Sequence, residues 1–184
     1  MEQLYDMGLV KEVAMSNMTI PKFEAVLPKC RIKPFAHQME LHPAFQQNEL
    51  LEYCKDRGIF PIGYCPIGSP NRPDRDKTPY DVTDTEMQEI VQIANAHGIH
   101  PVSVCLKWAA QKGIAPIPLS CSERNIKSNY GCVHSNPLTQ AEMDLISKAD
   151  KNCRLVKGHV FLWEGASDWR ALWDESGIIC DWND

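Results

Sequence analysis

The sequence predicts an α/β fold of parallel strands joined by helical crossovers, and three observations predict it. Four short apolar runs of strand length, Val13-Ala14-Met15, 35–41, 59–65 and 114–119, alternate with segments carrying helix start and stop signals. Each run leads into a polar or Gly/Pro-rich loop, namely Ser16-Asn17, Glu40-Leu41-His42-Pro43, Tyr64-Cys65-Pro66-Ile67-Gly68 and Ser120-Cys121-Ser122. The composition agrees, since 184 residues with 43% hydrophobic and 23% charged fall in the range of a folded domain able to bury a core.

The elements follow in order. Thr19 and Pro21 open a helical segment with Phe23, Val26 and Leu27, and the stretch 48–58 carries Leu50, Leu51 and Cys54 before Gly58. Thr83-Asp84-Thr85-Glu86 reads as a capping box ahead of Met87, Ile90, Val91 and Ala94, with Gly98 placed to close the helix. Pro101 suits the first turn of the next helix, where Val104, Leu106 and Trp108 supply apolar weight and Gly113 stops it. Thr139 with Glu142 makes a second capping box, ahead of Met143 and Ile146. Right-handed crossovers gather the loops after the strands at one end, where ligand-binding groups are expected. Pattern alone admits two architectures, a doubly wound sheet and part of a (β/α)8 barrel. The G-x-G-x-x-G fingerprint is absent after the first strand, and an ordinary barrel needs about 250 residues, so four strands would make half of one.

Several function classes are excluded. A net charge of −5 with no run of Lys or Arg argues against nucleic acid or an anionic membrane as the partner. No apolar stretch approaches the roughly 18 residues of a membrane span, and the opening residues resemble no signal peptide, so the chain is expected in the cytoplasm. The eight cysteines, Cys180 among them, contain no C-x-x-C pair and read as reduced, mostly packed thiols. Cys132-Val133-His134 lacks a second ligand pair, so no metal is expected. Met7, Met15, Met18, Met39 and Met87 read as core filling.

The residues after the strands carry a resemblance. Gly8-Leu9-Val10-Lys11 leading to Met15-Ser16-Asn17, then His37-Gln38-Met39-Glu40-Leu41-His42-Pro43, Tyr64-Cys65-Pro66-Ile67-Gly68-Ser69-Pro70 and Ile117-Pro118-Leu119-Ser120, resemble the aldo-keto reductase family in order and spacing. The resemblance covers the chain to about Lys151 and matches the C-terminal half of that family's (β/α)8 TIM-type barrel. It implies an α/β half-barrel over residues 1–150, an aromatic-rich tail or lid over 151–184, and an oxidoreductase that uses NADP(H) or NAD(H) on aldehydes or ketones without a metal.

By the same resemblance, Ser16, Asn17 and Gln38 hydrogen-bond the nicotinamide carboxamide and Tyr64 stacks on its ring. Amide groups fix which face of the ring presents its hydride, and an aromatic plane holds the ring at low entropic cost. Pro66, Ile67 and Ser69 lie along the pyrophosphate, Ser120 and Ser122 approach the adenosine phosphate, and Asn129 the adenine. Read without the family, Ser16-Asn17 and Ser122 are equally helix caps, and Tyr64 a core residue with a satisfied hydroxyl. Glu40 and His42 are expected to pair structurally.

Two departures matter. The family's catalytic Asp, Tyr, Lys and His have no counterpart, so the chain by itself is expected to be inactive, a fragment or truncated form with no catalytic residue of its own. Leu119 and Asn125 stand where the family has a Lys and an Arg that clamp the 2′-phosphate of NADPH, while Arg124 and Lys127 lie nearby at uncertain helical phase. In the tail, Phe161, Trp163, Trp169, Trp173 and Trp182 suit either a substrate lid or a pin for the tail. The alternative reading is a non-catalytic half-barrel binding or assembly protein, because two open strand edges and an apolar face call for self-association or the missing N-terminal half.

Overall fold

The computed structural model describes residues 1–175, so Cys180 and Trp182 lie outside the described residues. Four parallel strands, β1 (Ala14–Ser16), β2 (Ala36–Glu40), β3 (Phe60–Tyr64) and β4 (Ala115–Ile117), form one sheet in the order β1-β2-β3-β4. β2, β3 and β4 fall inside the apolar runs, shortened at their ends where the chain turns away from the ladder, whereas β1 starts one residue later than its run and takes in Ser16 from the expected loop.

Helices α2 (Ile20–Val26) and α3 (Asn48–Asp56) make the first two crossovers, and the pair α4 (Gln88–His97) and α5 (Pro101–Gln111) makes the third. Helices α6 (Glu123–Val133) and α7 (Gln140–Lys148) follow β4. The Thr19 hydroxyl accepts from the Lys22 amide at the start of α2, and Gly98 closes α4 at φ 62°, where a side chain would be strained. The Thr139–Glu142 capping box of α7 is present in both directions.

Strand residues alternate between two faces. The helix-facing side joins Met39 and Leu41 to Phe23, Cys54, Ile90, Val104, Trp108 and Ile146, all at most 2% exposed. His37 belongs to this face. Its ring meets Phe23 edge-on at 4.9 Å and Nδ1 lies 3.7 Å from the Cys54 thiol, and burial pushes its pKa down to about 4.

Two expectations are corrected, and one helix is added to them. Thr83 does not cap a helix, because residues Asp84–Glu86 form a separate 3-10 turn, Met87 is extended, and Asp84 is drawn into the interior. Met7 is 68% exposed and fills no core, whereas Met39 and Met87 are buried and Met15 and Met18 pack on the core edge. An unforeseen helix, α1 (Glu2–Asp6), precedes β1 and buries nothing. Seven described cysteines are free thiols, with Cys54, Cys105 and Cys132 buried and Cys121 exposed.

Candidate functional site

The face of the sheet opposite the helices is open. The register Ser16↔Gln38↔Ile62↔Ala115, followed by Glu40↔Tyr64↔Ile117, sets two rows of side chains across it. Polar groups collect at the strand C-terminal ends. Asn17 leaves β1 in the left-handed region at φ 56°, which asparagine tolerates, and its amide donates to the Gln38 carbonyl at 2.9 Å. That turn brings the Asn17 side chain to Tyr64, whose hydroxyl donates to Asn17 Oδ1 at 2.8 Å, while Asn17 Nδ2 donates to Ser16 Oγ at 3.1 Å. Burial, with the Glu40 charge adding to it, pushes the Tyr64 phenol well above its ordinary pKa and keeps it neutral. Ser16, Asn17, Gln38 and Tyr64 therefore share one open patch. Neither Ser16 nor Asn17 caps α2, a role taken by Thr19.

Pro66, Ile67 and Ser69 begin the long loop between β3 and α4, with Pro66 buried and the other two half-buried. Ser122 is the N-cap residue of α6 without a side-chain bond of its own; its backbone N–H donates to Ser120 Oγ at 3.2 Å. A cleft of about 460 Å³ runs between the β3–α4 loop, the start of α5 and α6. It brings together Ile67, Ser120 and Asn129, with Ser122, Pro66 and Ser69 outside its lining. The structure resolves the helical phase: Arg124 and Asn125 line this cleft, whereas Lys127 pairs with Glu123 at 2.6 Å. Leu119 also lines it, 95% exposed. His100 is a lining residue the sequence reading missed; its Nδ1 accepts from the Val102 amide at 3.2 Å, the capping role that a residue before Pro101 is placed to play.

Beneath the patch lies a buried ionic cluster. His42 Nε2 is 3.1 Å from Glu40 Oε1, and its Nδ1 is 3.0 Å from Asp84 Oδ1. Burial opposes a charge on His42, but the hydrogen bonds to Asp84 and Glu40 and their negative charges outweigh it and hold its pKa up at about 9. The imidazolium thus donates to both carboxylates, and the pairing expected of Glu40 and His42 is structural. The Leu155 and Val156 amides donate to the two Glu40 oxygens at 2.7 and 3.0 Å, fastening the tail to the end of β2. Gly68 is required here: at φ +75° it admits no ordinary side chain, and a Cβ would sit 2.7 Å from Asp84 Oδ2.

In the tail, the Arg154 guanidinium stacks on Trp173 at 3.6 Å and on Phe45 at 4.5 Å, and burial lowers its pKa. Trp169 lies beside Arg170 and Lys157, while Phe161 is 77% and Trp163 39% exposed. The tail aromatics are thus divided between pinning contacts and open surface.

Parallel βα units with polar groups gathered at the strand C-terminal ends define a protein of the half-barrel α/β class. The sequence profile of the aldo/keto reductase family matches residues 1–151. Aldo-keto reductase family 1 member A1 of Xenopus tropicalis is 33% identical over 85% of this chain and 47% of its own length. The NAD(P)H-dependent D-xylose reductase of Pachysolen tannophilus is 36% identical over 84% of this chain and 49% of its own. Aldo-keto reductase family 4 member C11 of Arabidopsis thaliana is 32% identical over 95% and 54%. The chain belongs to the aldo/keto reductase family, and its four-stranded sheet is a partial (β/α)8 barrel. It spans about half the length of the curated relatives it matches. Among the described residues no helix is long and apolar enough to cross a membrane.

Proposed function

We propose that this chain carries the nicotinamide-cofactor cradle of an NAD(P)H-dependent oxidoreductase acting on aldehydes or ketones. One observation carries the reading: Ser16, Asn17, Gln38 and Tyr64 meet on an open patch at the ends of three adjacent strands, with Tyr64 tied to Asn17 at 2.8 Å. The donor set fits the group. Hydroxyls and side-chain amides match the carboxamide, and a half-buried phenol ring fixed through its hydroxyl offers an aromatic plane. Pro66, Ile67 and Ser69 follow the pyrophosphate, and Ser120, Ser122 and Asn129 with the 460 Å³ cleft receive the adenosine end.

When bound, the cofactor supplies a hydride. The chain's own residues hold and orient it. The proton-delivering Asp, Tyr, Lys and His of the family have no counterpart in residues 1–184, so carbonyl reduction requires a complementary unit that pairs with the β1 and β4 edges and covers the open face with its Phe60 and Ile117, 42% and 45% exposed. Arg124 takes the place of the absent Lys and Arg in the cleft as its permanent cation. With one clamp instead of two, preference for NADPH over NADH is weak.

The test is titration of the purified chain with NADPH and NADH by calorimetry, beside an assay at the nicotinamide absorbance with a panel of aldehydes. Saturable binding without turnover is expected. Turnover abolished by a substitution within this chain, or no binding of either cofactor, overturns the reading.

A further inference from the structure

Two long segments lie over the strand C-terminal ends, the β3–α4 loop (65–87) and the tail after α7, and two tail side chains join them: His159 Nε2 lies 3.8 Å from Asp76 Oδ1 at the half-exposed rim, and Lys157 makes the closer, buried contact. Lys157 is 5% exposed in its side chain. Its ammonium donates to the Asp76 carbonyl at 2.6 Å and lies 3.6 Å from Asp81 Oδ1. Arg72 shares both partners: Nε donates to the Asp76 carbonyl at 3.4 Å, Nη2 pairs with Asp81, and Nη1 donates to the Ser69 carbonyl at 2.7 Å. On the tail side, Trp173 Nε1 donates to the Lys157 carbonyl at 3.0 Å, and Asp174 is held by Lys22 Nζ at 2.7 Å and by Thr19. The tail therefore runs from the β3–α4 loop back to the start of α2, two residues beyond Asn17.

We propose that Lys157 is a positioning residue that, acting through Asp81 and Arg72, fixes the β3–α4 loop with Ser69 in place for the cofactor and makes the loop and the tail close as one body. The inference rests on the proposed cofactor site. A buried ammonium without acceptors is strongly unfavourable, so loop shapes that withdraw the Asp76 carbonyl and Asp81 leave Lys157 exposed to that cost and are depopulated. The coupling is reciprocal: whatever holds the loop also holds the tail. Lys157 needs no contact with the cofactor to act this way.

The experiment is hydrogen exchange by mass spectrometry on the purified chain and its Lys157→Met and Asp81→Asn variants, with and without NADPH. In Lys157→Met, the loop amides that donate within 69–81, such as those of Arg72, Asp76 and Thr78, are expected to exchange about tenfold faster while α5 is unchanged. Asp81→Asn is expected to speed exchange in residues 155–173, across the coupling. NADPH slows exchange in both segments of the parent chain and in the loop alone in Lys157→Met. Unchanged loop exchange in Lys157→Met, an unchanged tail in Asp81→Asn, or equal acceleration in α5 overturns the coupling. Intact differences without cofactor, combined with no response to NADPH in any form, overturn the cofactor reading and with it the positioning role, and leave a loop–tail contact only.

Discussion

The two faces of this sheet differ in what they ask of a residue. On the helix side, Met39 and Leu41 pack among Phe23, Ile90 and Trp108, where shape and volume decide. On the open side, at the same strands' ends, Ser16, Asn17, Gln38 and Tyr64 are set by hydrogen bonds and backbone turns, with water at hand. Burial thus reads as stability on one face and chemistry on the other, and substitutions separate the two.

The largest effect is expected on the packed face. Trp108→Ala removes a fully buried ring and should lower unfolding free energy by about 3–5 kcal/mol in urea melts. A loss below 1 kcal/mol would show that the helix side is not where stability resides.

Two histidines extend the contrast to pH. His42, held at about 9 against an unfolded 6.5, contributes stability fully present below pH 6.5 and lost as pH rises through 9. His37, held at about 4, contributes stability present above pH 6.5 and lost as pH falls through 4. Each window is expected to span on the order of 3 kcal/mol. Melts of His42→Gln should lose the alkaline slope and keep the acid one; a retained alkaline slope assigns it to another group.

On the open face, Tyr64→Ala should weaken cofactor binding by about 1–3 kcal/mol, using base stacking on aromatic side chains as the guide. Its melt should move far less than that of Trp108→Ala, and Tyr64→Phe, which keeps the ring and loses only its bond to Asn17, should cost much less affinity than Tyr64→Ala. An early melt with normal binding by the folded fraction would return Tyr64 to the core. The smallest change belongs to Ser16→Ala, where a neutral hydrogen bond of about 0.5–1.5 kcal/mol is at stake in affinity and the melt should stay within about 0.5 kcal/mol.

Much of this was legible from the chain. All four strands stood out because each apolar run is bounded by turn-forming residues, and the capping of α2 and α7 is written in adjacent residues. The failures are of four physical kinds. α1 is five residues long and buries nothing, so it has no apolar period to read. Thr83–Glu86 has the letters of a capping box, but Asp84 gains more by meeting His42 and the Ala44 amide inside, at 3.0 and 2.8 Å. For the site, the strand-end groups follow local motifs, whereas the Lys157–Asp76 contact spans 81 positions and no local pattern announces it. Arg124 and Lys127 differ only in helical phase, which the packing of α6 against the cleft decides.

Strand order equals chain order in this sheet, and that bears on how the molecule assembles as it leaves the ribosome. Each strand has its neighbour already made, so docking can proceed unit by unit in chain order. Glu40 is an exception. Its carboxylate receives the amides of Leu155 and Val156, 115 and 116 positions later, and these donors emerge after every strand is complete. Synthesis therefore leaves the tail's clasps, those of Leu155 and Val156 on Glu40, of Lys157 on Asp76 and of Asp174 on Lys22, to close after the four strands have emerged.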